Sequence, residues 1–240
     1  MATSVYGFVQ FSDGSFASLA DNSVSEVTSS EIVTGGTGLN QVAGVSIGTA
    51  FEGKVAIAAS LLVQTDTAVS GFFCNGYFLG PDGKIQSIVQ GHGTRGTGSY
   101  RLLKPVRMQT GVKLMATWDA NADAVALASQ AVYCSDGTCD VFTCTAVDAT
   151  KVSMTNKDGA TIGEALAGKT IVQSYGTYSA TNGLNDNGAG VSGFYIESAD
   201  GQLKYVLSPQ PGLYRLNWGM DGSRAVPISQ NDTLSCMAGI

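Results

Sequence analysis

Cysteine and histidine are the residues of this chain best suited to chemistry, and both are scarce. There are five cysteines, Cys74, Cys134, Cys139, Cys144 and Cys236, and one histidine, His92. Cys134 and Cys139 bracket the turn Ser135-Asp136-Gly137-Thr138. Positions flanking a four-residue hairpin loop are expected to face each other, with Cβ atoms close enough for a disulfide. A Cys134–Cys139 bridge is therefore one expectation, and two buried thiols is the other. The enclosed loop is short, so a bridge would add only about 2 kcal/mol. An odd cysteine count leaves at least one thiol unpaired in a monomer. Zinc on Cys134, Cys139 and Cys144 is disfavoured: four residues separate successive ligands, and His92 is remote in sequence.

With one imidazole, at most one site can use histidine as a base. No Gly-x-Ser-x-Gly elbow occurs, and no motif links His92 to a cysteine nucleophile. Gly91-His-Gly-Thr-Arg-Gly96 matches the dinucleotide pattern in form. That fingerprint needs a helix directly after it to hold the phosphates, whereas Tyr100–Val106 reads as a strand. The segment is better taken as a contact loop, with His92 and Arg95 as its candidate assembly residues. Asp119-Ala-Asn-Ala-Asp123 opens like a Ca²⁺ loop but has Ala124 and Gln130 where Gly and Glu are required. No catalytic residue, resident metal or cofactor is expected beyond adventitious or inter-subunit Ca²⁺. The expectation is a protein that is not an enzyme.

Composition narrows the class further. Charged residues make up 13 % of the 240, about half the usual share, and Gly alone counts 31. Such a surface can be buried against neighbours without stripping many ions of water. The net charge is −6 with no basic run, which argues against nucleic acid. No run of 18 apolar residues offers a helical membrane span. The opening Met1-Ala-Thr-Ser-Val-Tyr has no secretory pattern, so assembly inside the producing cell is expected.

The elements that must position these residues repeat along the chain. Phe11-Ser-Asp-Gly-Ser-Phe16 matches Cys134-Ser-Asp-Gly-Thr-Cys139, 123 residues on. Val69-Ser-Gly-Phe-Phe73 matches Val191-Ser-Gly-Phe-Tyr195 at 122, and Pro105-Val106 matches Pro227-Ile228 at 122. Ile47-Gly48 and Gly53-Lys54 match Ile162-Gly163 and Gly168-Lys169 at 115. Matches in one order imply an internal duplication into units 1–120 and 121–240. Six Asp-Gly dipeptides separate runs rich in Val, Ile, Tyr, Phe and Thr, the pattern of antiparallel hairpins. One short helix is expected at Thr161–Ala167, with Thr161 and Glu164 forming a capping box. Thr28–Val42, His92–Gly98 and Thr181–Gly190 read as long contact loops.

The fold class expected is all-β: two tandem antiparallel β-sandwich or jelly-roll-like units packed together. The layout resembles the double jelly roll of some viral capsid proteins. That is an analogy of layout alone; low charge, no secretory pattern, an internal duplication and no catalytic constellation together lead to the expectation of a self-assembling structural protein: a virion capsid, decoration or shell subunit of a bacterial or archaeal virus. Its partners would be copies of itself, as a homo-oligomer, and other particle proteins, joined in the host cytoplasm. The alternatives are a cell-surface filament, sheath or surface-layer subunit on the extracellular surface, and a carbohydrate-binding β-sandwich module.

Overall fold

The structure is a computed structural model, which describes residues 3–21, 28–34, 44–65, 72–90, 100–119, 127–145, 151–179, 191–209, 218–219 and 225–238. The chain divides into two compact units, Met1–Asn121 and Ala122–Ile240. Both are built almost wholly of antiparallel strands, so the chain is all-β and β-sandwich-like.

Unit 1 comprises β1 (Thr3–Phe11), β2 (Phe16–Asp21), β3 (Thr28–Thr34), helix α1 (Ile47–Ala50), β4 (Val55–Thr65), β5 (Phe72–Leu79), β6 (Ile85–Gln90), β7 (Tyr100–Arg107) and β8 (Lys113–Asp119). They hydrogen-bond in the order β6-β5-β8-β3-β2-β1-β4-β7. The run β4-β1-β2-β3 has the order of a Greek key. β3 is the corner: Thr28–Ile32 pair with β8, whereas Val33 and Thr34 pair with β2. The sheet curls until its end strands β6 and β7 approach each other. Alternation in β1 then sends Val9 and Phe11 into a core shared with Leu19, Leu61, Phe78, Val106 and Leu114.

Unit 2 comprises β9 (Leu127–Cys134), β10 (Cys139–Thr145), β11 (Lys151–Ser153), β12 (Thr155–Asn156), helix α2 (Ile162–Leu166), β13 (Thr170–Ser179), β14 (Val191–Glu197), β15 (Leu203–Pro209), β16 (Trp218–Gly219), β17 (Val226–Pro227) and β18 (Thr233–Ala238). One sheet runs β12-β10-β9-β13-β16, with β17 also on β13. The other runs β11-β18-β14-β15. Met154 is buried between β11 and β12, so the corner that β3 makes unbroken in unit 1 is split here. Thr161 caps α2: its side chain accepts from the Glu164 N–H at 3.3 Å, and the Glu164 carboxylate accepts from the Thr161 N–H at 2.7 Å. This is the capping box read from sequence.

The same backbone hydrogen bonds recur in both units. Phe11 N–H donates to Ser15 O, and Cys134 N–H to Thr138 O, at 2.9 and 2.8 Å. Gly48 N–H donates to Val112 O, and Gly163 N–H to Asp232 O, at 3.1 and 3.0 Å. Met108 N–H donates to Lys54 O, and Ile228 N–H to Lys169 O. The last two pairs place Val112 with Asp232 and Met108 with Ile228, a spacing of 120 residues. The sequence matches at 122 are thus two residues out of register in the final strands. A slip of two leaves every side chain on its own face, which is why the mismatch keeps a good hydrophobic pattern. Val69–Gly71 lie outside the described residues, and the β5 and β14 turns correspond at 118: Gly83 N–H donates to Gly80 O, and Gly201 N–H to Ser198 O.

The expected loop Thr28–Val42 is corrected at its start, where Thr28–Thr34 forms β3. Its Thr-Ser-Ser-Glu opening hides the strand because one half pairs on each side of a corner. Residues 35–43 lie outside the described set, as do the loops His92–Gly98 and Thr181–Gly190.

Candidate interaction surface

The hairpin β1–β2 carries the feature that stands out in unit 1. Its inward residues fill the core, and three of its outward residues are aromatic. Tyr6 is 39 % exposed, Phe8 57 % and Phe16 49 %. Phe8 faces Ser18 on β2 and Ser60 on β4, and Gln10 faces Phe16 and Ala58. Phe8 and Phe16 are therefore diagonal neighbours across the strand pair, a spacing that aromatic side chains can bridge. None of these outward positions bears a charge. The strand positions that correspond in unit 2, Ser129, Ala131, Tyr133, Cys139 and Val141, are all buried. The β9–β10 hairpin thus has buried side chains on both faces, whereas Tyr6, Phe8 and Phe16 of β1–β2 are exposed.

A lysine from the turn before β4 fastens the hairpin turn. Lys54 Nζ donates to Asp13 Oδ2 at 2.9 Å and to Ser15 Oγ at 2.6 Å. Asp13 Oδ1 also accepts from the Ser15 N–H, and Gly14 takes φ +84°, which admits the tight turn. Unit 2 repeats the arrangement: Lys169 Nζ donates to Asp136 Oδ2 at 2.6 Å and to Thr138 Oγ1 at 2.7 Å. The Ser15 hydroxyl and Lys54 hold the Asp13 carboxyl well below the usual carboxylate range. Lys169 and the Thr138 backbone lower Asp136 to about 2. These lysines and carboxylates are consumed by each other, so they brace turns rather than move protons.

The cysteines are distributed differently from the expectation. Cys139 is registered opposite Tyr133, the residue before Cys134, so Cys134 and Cys139 fall on opposite faces of the hairpin. Both are buried, and no disulfide joins them. The equivalent ends of β1 and β2 show the same split, with Phe11 buried and Phe16 exposed. The paired-Cβ expectation is corrected by this register: the backbone of Cys134 bonds Thr138, not Cys139. Burial, and then the Asp136 charge, push the Cys134 thiol up to about 11, where it is a poor nucleophile. Cys144 and Cys236, unassigned in sequence, meet in the core of unit 2.

Among the described residues, one ion pair has a buried carboxylate. Lys204 on β15 donates to Asp232 at 2.6 Å, and Asp232 also accepts from the Ser229 N–H at 2.8 Å. The Asp232 side chain is 2 % exposed. His92 and Arg95 lie outside the described residues. Among the described residues, no three His, Cys, Asp or Glu side chains cluster as metal ligands, and no helix is long and apolar enough to cross a membrane. The aromatic face had a signal in the sequence, Tyr6-x-Phe8 alternating with Val5-x-Gly7-x-Val9. It reads as an ordinary strand until the structure shows which side is covered. Comparison with protein-family models, curated protein sequences and solved structures finds no match.

Proposed function

We propose that this chain is a structural subunit that assembles with copies of itself into a shell, as a virion component of a bacterial or archaeal virus built in the host cytoplasm. The uncharged aromatic face of Tyr6, Phe8 and Phe16 is the observation that carries the proposal. Apolar side chains grouped on one sheet face favour burial against a partner, and aromatic anchors supply most of the energy in such contacts. The low charge of the whole chain supports the same reading, because few ions need desolvating at large subunit contacts.

The proposal includes an internal duplication, in which the two units descend from one β-sandwich of about 120 residues. Their common strand order and turn hydrogen bonds support it. A compensating exchange supports it further. In unit 1, Gly7 faces Leu61 across β1 and β4. In unit 2, Gln130 faces Gly176 across β9 and β13. A Cβ on Gly7 would lie 2.6 Å from Leu61 Cδ2, and one on Gly176 would lie 2.7 Å from Gln130 Oε1. Each unit has one large and one small residue at this crossing, on opposite strands. Duplication gives one chain two related contact surfaces in a symmetric assembly.

The test is light scattering after size exclusion, with negative-stain microscopy, over a range of protein and Ca²⁺ concentrations. Closed oligomers or particles are expected, and Phe8→Asp with Phe16→Ser should yield a folded monomer. A wild type that stays monomeric throughout would overturn the proposal. The same three aromatics favour one second reading, a platform for carbohydrate rings. That reading predicts a monomer whose polysaccharide affinity disappears in Phe8→Ala.

A further inference from the structure

Cys144 lies on β10 and Cys236 on β18, in the two separate sheets of unit 2. Both side chains belong to one buried core cluster, beside Met154 and Phe194. Their strand neighbours fix the place. Thr143 pairs with Thr155 on β12, and Cys236 pairs with Val152 on β11. The two thiols therefore flank the corner where residues 151–156 pass from one sheet to the other. There the two thiols interact, each shifting the ionisation of the other.

We infer that Cys144 and Cys236 form a redox staple, closing into a disulfide that ties the two sheets of unit 2 together at this corner. The oxidant is a low-molecular-weight disulfide such as oxidised glutathione. The thiolate of one of the two cysteines attacks one sulfur of that disulfide, giving a mixed disulfide and releasing one small thiolate. The other cysteine then loses its proton to the released thiolate and attacks the first cysteine's sulfur, expelling the second small thiol after proton uptake. Two protein thiols are oxidised, and one small disulfide is reduced to two thiols. Cys134 and Cys139, on opposite faces of their hairpin, are excluded as a competing pair.

Both sulfurs are buried, so the staple closes while the chain folds or when the corner opens. The position equivalent to Cys236 in unit 1 is Ala116, by the 120-residue spacing, so the staple belongs to unit 2 alone. The inference stands independently of self-assembly.

The experiment refolds the full chain from denaturant in a mixture of reduced and oxidised glutathione, blocks free thiols and maps peptides without reduction. A Cys144–Cys236 peptide, with loss of two hydrogens from the intact mass, is the expected result. The oxidised protein should melt about 5–10 °C above the reduced one, because the bridge closes a long loop. The Cys144→Ala, Cys236→Ala double variant should fold and lose that redox dependence. Refolded wild type with both thiols blocked, or bridged to other cysteines, overturns the inference. So does a redox-dependent Tm that survives in the double variant.

Discussion

Replacing Gly163 by alanine tests how the short helix is seated in unit 2. A Cβ at this position would lie 2.4 Å from Gln230 O and 2.7 Å from both Asp232 N and Asp232 O. All three are backbone atoms, so no side chain can swing away. Ordinary contact begins near 3.4 Å, and α2 must therefore withdraw by about 1 Å. That stretches the 3.0 Å bond from Gly163 N–H to Asp232 O to about 4 Å, beyond hydrogen-bond range. The lost bond costs about 1 kcal/mol, and overpacking costs about 1–3 kcal/mol. Alanine returns at most about 1 kcal/mol of helix propensity. The net expectation is a loss of about 2–3 kcal/mol, which lowers the unit 2 melting transition by about 10 °C. Scanning calorimetry reads it. Gly201→Ala is the control. Gly201 has φ +78° and nothing within 4 Å of an added Cβ, so it carries only backbone strain, about 1 kcal/mol. Equal shifts for the two variants, or a Gly163→Ala protein as stable as wild type, would refute the packing argument. Gly48→Ala in unit 1 should repeat the result, because its Cβ would lie 2.3 Å from Gln109 O.

Three further outcomes follow from the polar contacts. In a carboxyl NMR titration, Asp136 should titrate near its lowered value of about 2, and Lys169→Met should move it towards the ordinary 3.8. Because the folded value is depressed, the turn's contribution to stability is complete above 3.8 and is lost as pH falls through about 2. Lys204→Met leaves the Asp232 carboxylate buried without its cation, and urea unfolding should show a loss of about 2–3 kcal/mol. That is the low side for a buried pair, since Lys204 reaches solvent. Gln130→Leu removes a buried amide oxygen that has no hydrogen-bond partner. It should stabilise unit 2 by about 1 kcal/mol in the same assay, and a loss instead would show that the amide satisfies itself on opening.

Much of this fold is legible along the chain, because local physics decides it. The Asp-Gly turns at Asp13, Asp82, Asp136, Asp158 and Asp200 are demanded by glycine at positive φ, and the structure has each of those glycines there. The Thr161–Glu164 capping box depends on residues three apart. The all-β class follows from short β-branched and aromatic runs between such turns. Asp221-Gly222 lies outside the described residues.

What the chain alone leaves open are the choices made by long-range pairing. A corner strand such as β3, or its split counterpart β11 and β12, has no continuous alternating face, since each half pairs with a different neighbour. The register of the last strands was ambiguous by two residues, because period two gives the same pattern at either setting. The Cys134/Cys139 turn is legible, but the bond from Cys134 N–H to Thr138 O and the register of Cys139 opposite Tyr133 put the thiols on opposite faces. Cys144 and Cys236 are 92 residues apart, and no local rule connects them. Tyr6, Phe8 and Phe16 have the same composition whether a strand is covered on one side or both. Only the folded arrangement leaves these three side chains exposed while burying the corresponding positions of β9–β10. Sequence determines the elements, through backbone conformation and side-chain period. Tertiary structure decides which thiols meet and which faces remain exposed, because those depend on contacts between segments far apart in the chain.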